Sequence, residues 1–515
     1  METIQLSVLP ETAANSELLK ELLIKELNTS DFEFKILKRS IDARRSPVTI
    51  NLKVAIYFGA EAIPETVIEK KYQDVSDAKP VIVVGLGPAG MFAALQLIEL
   101  GLKPIVLERG KDVRSRRRDL AAITKKHIVN PESNYCFGEG GAGTYSDGKL
   151  YTRSKKRGDV NAVLTTLVEH GAPHDIMVDA HPHIGTNKLP NVVTAIRATI
   201  LKYGGEILFD TKLTDILTKD NEVTGVLTQD GKEIVSNKVI LATGHSARDI
   251  FYLLHDKGIA IESKPFALGV RVEHPQKLID TIQYHCKEKS EFLPPASYKL
   301  VQQVKQRGVF SFCMCPGGII APCATSPGEI VTNGWSPSKR NNPYANSGIV
   351  VTVEKEDLAP FIQHGPLAGL AFQQSIEKKA YESAGNKDNA GQYAPAQRLS
   401  DFIKGKVSTS LPNCSYTPGV ISAPVHEIIP KAITRRLQEG FTMFGHKMRG
   451  YLHADAIVVG VESRTSSPVK IPRDRETLQH PELKGLFPCG EGAGYAGGIV
   501  SAAIDGKNCA AATML

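Results

Sequence analysis

The feature that most constrains the fold of this chain is an apolar strand, a Gly-rich turn and a helix at residues 81–101. The four apolar residues 81–84 lead into the sequence GLGPAG at 85–90, and a second apolar strand at 104–107 ends in Glu108. Two strands joined by a Gly-x-Gly-x-x-Gly turn and a helix are typical of a βαβ unit that binds a dinucleotide. The glycines and the proline would break a membrane helix. We therefore expect a buried strand, a tight turn and a buried helix in a protein without a membrane span.

Each spacing in this unit has a physical purpose. Gly85 permits the tight turn after the strand, Gly87 lets the backbone approach a pyrophosphate, and Gly90 lets the helix pack closely on the strand. The phosphates would meet the free N–H groups and the positive end of the helix dipole. Glu108, 18 residues after Gly90, can accept hydrogen bonds from both hydroxyls of an adenosine ribose. Its charge would repel a 2′-phosphate, so we expect the site to exclude NADP.

The composition is that of an ordinary globular protein. Apolar residues make up 42% and charged residues 23% of the 515 residues, a length that favours about two to four domains. The net charge of +7 is too small for this length to imply a nucleic-acid partner. Eight cysteines are too few for a disulfide framework, which favours a reducing compartment. Because the first residues also lack the pattern of a signal peptide, we expect a cytoplasmic protein.

The order of strands and helices divides the chain into four segments. Residues 1–78 follow the order strand, helix, strand, strand, which predicts a small α+β domain of the split ferredoxin-like type. Residues 79–258 begin an α/β domain, residues 259–451 form a less regular middle domain, and residues 452–515, with a buried strand at 456–461, return to the α/β domain. The predicted fold is a Rossmann-like α/β domain interrupted by an α+β middle domain and preceded by the small N-terminal domain.

The C-terminal region resembles the second flavin signature of the glutathione-reductase-type FAD superfamily. Residues 485–492 read GLFPCGEG, and residues 495–504 read YAGGIVSAAI. The resemblance implies a strand that ends in Gly490 and Glu491, with the carboxylate on the ribityl chain, and a helix whose N-terminus faces the isoalloxazine ring. The superfamily usually has Asp where this chain has Glu491. The resemblance identifies the dinucleotide as FAD rather than NAD.

Other segments resemble the same superfamily. Residues 239–245, VILATGH, resemble the Ala-Thr-Gly strand end that passes the cofactor, and residues 211–213 lie where the fold passes a strand beside the adenine. A third Gly cluster at 137–150 follows no long strand, so we expect it to form the loop beneath the pyrophosphate and the flavin. The residues expected to contact FAD are Gly85, Gly87, Pro88, Ala89, Gly90, Glu108, Arg109, Gly110, Gly138, Gly140, Gly141, Gly143, Thr144, Lys149, Leu213, Ala242, Thr243, Gly244, Gly490, Glu491, Gly497, Gly498 and Ile499.

The whole set of motifs is similar to one family over nearly the full chain. Besides the Gly-rich segments, the motifs are PESN at 131–134, DAHPHIGT at 179–186, TGHSARD at 243–249, FCMCPGG at 312–318 and ESRTSSP at 462–468. On these motifs the chain is identified as a member of the bacterial FAD-dependent dehydrogenases, also called NAD(FAD)-utilizing dehydrogenases. The resemblance implies an oxidoreductase that uses non-covalent FAD for hydride or electron transfer on a small-molecule substrate, whose identity it leaves open.

Two other functions stay open from the sequence. Some flavoproteins with this first fingerprint modify RNA, and this chain is mildly basic. Its basic runs at 114–118 and 153–157 have no interleaved aromatic residues, however, so we do not expect nucleic acid as the partner. The second alternative is a protein that keeps FAD without turnover and binds a protein partner through the N-terminal domain.

Because the sequence has no second Gly-x-Gly-x-x-Gly turn after a strand, any NAD(P)H donor would bind transiently in the substrate cleft.

Three cysteines are candidates for redox or metal chemistry. We expect Cys313, Cys315 and Cys323 to be inert buried or loop thiols. A redox pair beside the flavin and a zinc site are the alternatives, although zinc favours two residues between paired cysteines. The spacing predicts no metal site.

Histidines and one arginine are the remaining catalytic candidates. His181 and His183 flank a proline in a loop that we expect to line the cleft, with one imidazole as an acid or base and a metal pair as the alternative. His245 follows the Ala-Thr-Gly strand end, close to the expected cofactor. Arg464 would contact either an anionic substrate or a structural carboxylate.

Overall fold

The computed structural model describes residues 1–59, 61, 63, 72–152, 155–386 and 391–515. Arg153, which belongs to one of the basic runs, lies outside the described residues. The first half of the strands are β1 (Glu2–Val8), β2 (Phe32–Asp42), β3 (Thr49–Phe58), β4 (Pro80–Val84), β5 (Lys103–Leu107), β6 (Glu206–Leu208), β7 (Leu213–Lys219), β8 (Glu222–Thr228), β9 (Glu233–Val235), β10 (Val239–Leu241) and β11 (Glu262–Ser263). The strands that follow are β12 (Ala267–Pro275), β13 (Val301–Val304), β14 (Arg307–Cys315), β15 (Ile319–Pro322), β16 (Thr332–Trp335), β17 (Tyr344–Thr352), β18 (Ala394–Arg398), β19 (Val420–Ser422), β20 (Ile457–Glu462), β21 (Val469–Lys470) and β22 (Leu486–Pro488).

The α-helices connect these strands, mostly across the faces of the sheets. They are α1 (Pro10–Ala14), α2 (Ser16–Leu27), α3 (Pro88–Glu99), α4 (Val113–Lys126), α5 (Val160–Glu169), α6 (Leu189–Lys202), α7 (Arg248–Asp256), α8 (Gln276–Tyr284), α9 (Ala368–Ser383), α10 (Leu399–Lys404), α11 (Val425–Ile428), α12 (Lys431–Lys447) and α13 (Ile499–Ala512). Short 3-10 segments lie at Gly141–Gly143, Lys155–Arg157, His174–Met177 and Lys355–Leu367.

The N-terminal domain is a three-stranded antiparallel sheet in the order β1-β3-β2, with α1 and α2 between β1 and β2. Because β3 pairs antiparallel with both neighbours, β1 and β2 run parallel with a strand between them. This is the split ferredoxin-like arrangement that the sequence predicts. Leu19 and Leu23 of α2 and Ile50, Leu52 and Val54 of β3 are buried in the same apolar cluster as the middle region. The small domain is therefore packed onto the rest of the molecule.

The α/β domain is built on a five-stranded parallel sheet in the order β22-β10-β4-β5-β6. Helices α3 and α13 pack together on it, and a Cβ added at Gly506 would lie 2.0 Å from the carbonyl oxygen of Ala89. Since parallel strands all end at the same edge, this order places the segments that follow β4, β5, β10 and β22 side by side. The Rossmann-like fold class is confirmed. In the described part of the chain, no helix combines the length and the apolar character needed to cross a membrane.

The middle region is a seven-stranded sheet in the order β13-β14-β17-β12-β20-β18-β19. Strand β20 pairs with β12 and β18 in this sheet, which corrects the assignment of the buried strand at 456–461 to the α/β domain. An apolar run shows that a strand is buried, but only its hydrogen-bond partners show which sheet it joins. The chain therefore leaves the middle sheet after Glu462. A short pairing of β11 with β21 marks the junction.

Candidate cofactor cleft

A cleft lies between the carboxyl edge of the parallel sheet and the middle sheet. From the α/β domain it is lined by the β4–α3 turn, the ends of β5 and β10, and the N-terminus of α13. From the middle sheet it is lined by Phe312 and Cys313 of β14 and by Glu462 of β20. Thr332 and Asn333 of β16, which pairs with β15 in a separate two-stranded sheet, also line it. The cleft is thus continuous from the expected adenosine site to the expected flavin site.

The Gly-rich turn after β4 is shaped by close backbone contacts. Gly85 has a φ of 100°, and a Cβ there would lie 2.7 Å from the carbonyl oxygen of Ala242. A Cβ at Gly90 would lie 1.9 Å from the carbonyl oxygen of Gly85. At Gly87, by contrast, the first atom that an added Cβ would meet is 3.9 Å away, and this residue lines the cleft. Gly85 and Gly90 therefore build the turn, while Gly87 keeps its surface open to a ligand.

Two helices point their N-termini at the cleft. The N-cap residues are Gly87 for α3 and Gly498 for α13, and neither of these fully described helices has a side-chain cap or an acidic residue in its first turn. The first N–H groups of a helix have no partner within the helix, so they bind anions well. A pyrophosphate and an electron-accepting ring are the two groups that such ends favour. The residues present therefore fit a flavin dinucleotide.

Glu108 organises the adenosine end of the cleft. The residue is 4% exposed. Its Oε2 accepts the backbone N–H of Leu86 at 2.9 Å, and its Oε1 accepts those of Gly110 and Gly138 at 2.9 Å each. One carboxylate thus ties together the Gly-rich turn, the end of β5 and the third Gly cluster. Oε2 retains a lone pair for a ribose hydroxyl.

Arg109 is held by protein partners rather than directed freely at a phosphate. Its guanidinium forms ion pairs with Glu132 at 2.6 Å and with Asp249 at 2.8 Å, and it lies 4.3 Å from the centre of the Phe137 ring. Lys212 contacts the same two carboxylates at 3.3 Å each. This network closes the adenosine end of the cleft.

The structure brings most of the expected FAD residues into the lining of this cleft. Those that line it are Gly85, Gly87, Pro88, Ala89, Glu108, Arg109, Gly141, Gly143, Leu213, Ala242, Thr243, Gly244, Glu491, Gly498 and Ile499. Those outside the lining are Gly90, Gly110, Gly138, Gly140, Thr144, Lys149, Gly490 and Gly497. Several of the latter shape the loops, since a Cβ at Gly110 would lie 2.6 Å from the nitrogen of Gly138.

Other lining residues are absent from the expected set. They are Val84, Leu107, Cys136, Phe137, Ala142, Ser146, Thr211, Lys212, Ser246, Ala247, Asp249, Ile250, Phe312, Cys323, Val331, Thr332, Asn333, Glu462, Thr465 and Ala502. Asp249 ends the motif at 243–249. Because this motif follows a cofactor-facing strand, the sequence does indicate that Asp249 lies near the cleft. Thr332 and Asn333 lie on β16, which no Gly-rich motif marks. Nothing in the sequence connects them with the cleft.

The histidine candidates are separated by the fold. His245 lines the cleft, and its Nδ1 lies 3.5 Å from Oε1 of Glu491. His181 and His183 do not line it: the ring of His181 is exposed beside Tyr151, and Nε2 of His183 lies 3.2 Å from the carbonyl oxygen of Ser338. Burial lowers the pKa of His183.

Arg464 belongs to a buried network of charges at the edge of the cleft. Its Nη2 lies 2.9 Å from Glu377 and 3.2 Å from Glu329, and its Nη1 donates to Thr325 at 2.8 Å. Arg248 pairs with the same two carboxylates. Burial raises the pKa of Glu377, but the two guanidinium groups more than offset this effect and hold it at about 2. The sequence leaves an anionic substrate and a structural carboxylate open as partners of Arg464. In the structure, its observed partners are structural carboxylates.

The eight cysteines all lie among the described residues and are all free thiols. Cys313 and Cys315 lie beside Lys149, with sulfur–sulfur and sulfur–nitrogen distances between 3.5 and 4.0 Å. Among the described residues, the only group with metal-ligand spacing is Cys489, Asp505 and Cys509. Arg473 donates to both Asp505 and Cys509. The cation beside Asp505 and Cys509 is thus the guanidinium of Arg473.

Comparisons with known proteins agree with this geometry. Residues 265–465 match the family described as "FAD-dependent protein, C-terminal domain-like", and residues 1–57 match a domain of unknown function, DUF8436. An uncharacterised protein of Clostridium beijerinckii is 40% identical over 511 residues, which cover 95% of this chain and 94% of that protein. The tRNA uridine 5-carboxymethylaminomethyl modification enzyme MnmG of Alkaliphilus metalliredigens is 29% identical over 176 residues, 34% of this chain and 25% of the enzyme.

Solved structures show a weaker similarity. CtdE in complex with FAD has 12% identity and a TM-score of 0.34, with 85% of each chain covered. The flavin-dependent brominase Bmp2 has 13% identity and a TM-score of 0.36, with 84% of this chain and 78% of the brominase covered. At TM-scores this low, neither similarity supports an inference about this chain. The full-length match shows instead that the chain belongs to the same family as the clostridial protein, and residues 265–465 of the chain match the C-terminal domain of FAD-dependent proteins.

Proposed function

We propose that this protein is an oxidoreductase that binds FAD non-covalently and transfers electrons to or from a small-molecule substrate. The observation that carries the proposal is the single cleft with two uncapped helix N-termini, one at α3 and one at α13. Bound FAD would supply two-electron chemistry at this site. The family that matches residues 265–465 is described as FAD-dependent, which supports the cofactor.

The residues of the chain bind and orient the cofactor from one end of the cleft to the other. The N–H groups after Gly87 would hold the pyrophosphate, Glu108 the ribose, and Glu491 the ribityl chain. The N-terminus of α13 would favour negative charge on a ring bound beside Ile499. Phe312 and Cys313 of the middle sheet line this end of the cleft and would exclude water from the reacting atoms.

The cofactor can be identified directly. Purified protein should be yellow and should release FAD, at one per chain, when it is precipitated with acid. The supernatant is analysed by chromatography against FAD, FMN and NAD standards. A supernatant that contains NAD, or that contains no flavin, would falsify the proposal.

The same cleft should serve both half-reactions. A second adenine dinucleotide would need its own Gly-rich strand–helix turn, and the one at 85–90 would be filled by FAD. If NADH or NADPH is the donor, we expect ping-pong initial-rate kinetics, with the donor leaving before the acceptor enters. Intersecting lines that indicate a ternary complex would contradict a shared cleft.

RNA modification is the second candidate, because part of the chain matches the tRNA-modifying enzyme from Alkaliphilus. The expected result is that unmodified tRNA does not bind at physiological salt, since binding to phosphate backbones depends on a dense cationic surface. A gel-shift titration with bulk tRNA measures this. Micromolar binding that weakens steeply with salt would support the RNA candidate over the small-molecule one.

A further inference from the structure

A pair of thiols with two cationic partners lies at the middle-sheet side of the cleft. Nζ of Lys149 is 3.7 Å from Sγ of Cys313 and 3.5 Å from Sγ of Cys315, and the two sulfurs are 4.0 Å apart. Nη2 of Arg271 lies 3.8 Å from Sγ of Cys315 and donates to the carbonyl oxygen of Cys313 at 2.6 Å. We call these four residues the thiol site. The proposed FAD chemistry uses neither sulfur.

The backbone of β14 is bent at the thiol site. Phe312 pairs with Gly348 and Cys315 with Asn346, so three steps along β14 match two steps along β17. Cys313 within this bulge has a φ of 45°, a left-handed conformation that is costly for a residue with a side chain. Bulges re-aim side chains and are frequent beside active sites. Here the bulge brings two sulfurs of one strand close together.

The charges around the two sulfurs distinguish them. The hydrogen bond with Cys315 lowers the pKa of the Cys313 thiol well below its usual value, and the charges of Lys149 and Arg271 lower it further against the effect of burial. The same hydrogen bond and burial raise the pKa of Cys315. Both shifts favour ionisation of Cys313 over ionisation of Cys315. A thiolate is the form of cysteine that attacks disulfides.

Access to the two sulfurs also differs. Cys313 lines the cleft and is partly exposed, whereas Cys315 is buried behind it. The side chain of Lys149 is 38% exposed and is also paired with Asp147 at 3.2 Å. A reactive thiolate at the surface of a cleft with a protonated thiol behind it is the arrangement of a nucleophilic and a resolving cysteine.

Cys414 and Cys323 lack this environment. Burial raises the pKa of Cys414 to about 12, and burial likewise raises the pKa of Cys323 although it lines the same cleft. Buried thiols without a close cation are inert. The two cations, Lys149 and Arg271, therefore distinguish the thiol site from these two cysteines.

We propose that Cys313 and Cys315 form a redox-active dithiol that reacts with a small-molecule disulfide in the cleft. The Cys313 thiolate attacks one sulfur of the substrate RSSR, a Cys313–SR mixed disulfide forms, and RS⁻ leaves. Cys315 loses its proton and attacks Sγ of Cys313, which releases the second half of the substrate. In sum, one thiolate, one thiol and RSSR give the Cys313–Cys315 disulfide, RS⁻ and RSH. Two electrons pass from the protein sulfurs to the substrate, and the reverse reaction consumes two thiols.

The experiment uses the full chain as purified, with glutathione as the probe. Protein is equilibrated without oxygen in buffers with a rising ratio of oxidised to reduced glutathione, quenched with acid, alkylated and analysed by mass spectrometry. As the oxidised fraction rises, we expect Cys313 and Cys315 to become protected from alkylation together, because they form one internal disulfide. The Cys315→Ser variant should instead hold one glutathione on Cys313. The Cys286→Ser variant, which changes a partly buried thiol elsewhere, should behave as wild type.

The wild-type protein alone decides the proposal. If both cysteines stay alkylated in oxidised glutathione, or if they carry glutathione without closing the internal disulfide, the proposal is wrong. The measurement reads the sulfurs and not the flavin, so its failure would leave the proposed function untouched, and loss of FAD binding would leave the dithiol untouched.

Lys149 is a positioning residue whose role a second measurement isolates. The rate at which iodoacetamide alkylates Cys313 is followed against pH by mass spectrometry. In Lys149→Gln we expect the midpoint to rise by about 1–3 pH units, since an opposite charge at this distance lowers a pKa by that much. Lys149→Arg should restore the wild-type profile. Identical profiles in all three proteins would overturn the role of the cation.

Discussion

The two walls of the cleft are built by different means. The glycine wall, residues 85–90, 242–244 and 498–499, presents backbone N–H groups and lets a ligand approach closely. The charged wall presents Arg464 and Cys313, each held by charged side chains from distant parts of the chain. Backbone recognition needs particular residues at fixed local spacing, so it leaves a motif. Side-chain clusters need only proximity in space, so they leave none.

The largest expected effect comes from breaking the charged wall. Glu377→Ala would leave Arg248 and Arg464 buried with half of their negative partners, and removing one partner of a buried ion pair costs about 3–5 kcal/mol. Urea unfolding should show a loss of this size. The matched control is Lys484→Ala, which breaks an exposed pair with Glu222 and should cost less than about 1 kcal/mol. Equal losses of unfolding free energy in both variants would show that the buried network contributes no more than an exposed ion pair.

The lowered pKa of Glu377 predicts that the stability of the protein depends on pH. The pKa of Glu377 is held at about 2 in the folded protein, below its ordinary value of 4.5. Because the folded pKa is the lower one, the stabilisation is complete above pH 4.5 and is lost as the pH falls towards 2. Urea unfolding at several pH values should show this loss in wild type and a weaker one in Glu377→Gln. Parallel curves for the two proteins would contradict the assignment.

The next largest effect is expected at Glu108, whose carboxylate accepts hydrogen bonds from the backbone of the Gly-rich turn and of the neighbouring loops. Glu108→Ala removes three hydrogen bonds from buried backbone N–H groups, and one such bond to a charged group contributes about 1.5–3 kcal/mol. We expect both the free energy of unfolding and the affinity for FAD to fall. From the sequence alone, Glu108 is a ribose ligand, and its removal would leave the fold intact. Unchanged unfolding together with unchanged FAD affinity would place the adenosine elsewhere.

The sequence predicts the glycine wall and the Rossmann-like sheet because their determinants are local. Gly85, Gly87 and Glu108 occur at spacings that a single βαβ unit dictates, and the ferredoxin-like order of residues 1–58 follows from alternation and helical periodicity. The sheet to which β20 belongs, and the pairing of Arg464 with Glu377, depend on contacts between segments far apart in sequence. Cys313 and Cys315 are visible as a pair, but Lys149, which gives them their charge, is 164 residues from Cys313.

A smaller effect separates two glycines of the same turn. Gly90→Ala forces a Cβ against the carbonyl oxygen of Gly85, whereas Gly87→Ala meets free space in the cleft. Overpacking typically costs about 1–3 kcal/mol, so the first variant should lose stability. The second should keep its stability and bind FAD about tenfold more weakly, a change of about 1.4 kcal/mol. Thermal unfolding and flavin titration measure the two quantities. The same phenotype in both variants would contradict the division between building and binding glycines.

The smallest effect is expected at His245, which follows residues 242–244 of the glycine wall and lines the cleft. Its Nδ1 lies 3.5 Å from Oε1 of Glu491, and the side chains are 14% and 30% exposed. A partly solvated pair of this kind contributes about 0–1 kcal/mol, so His245→Gln should change unfolding and FAD affinity only slightly. The control is His181→Gln, which changes an exposed ring outside the cleft lining. A loss of FAD affinity of about tenfold or more in His245→Gln alone would show that this imidazole contacts the cofactor directly. His245 would then become the first residue to test as an acid or base.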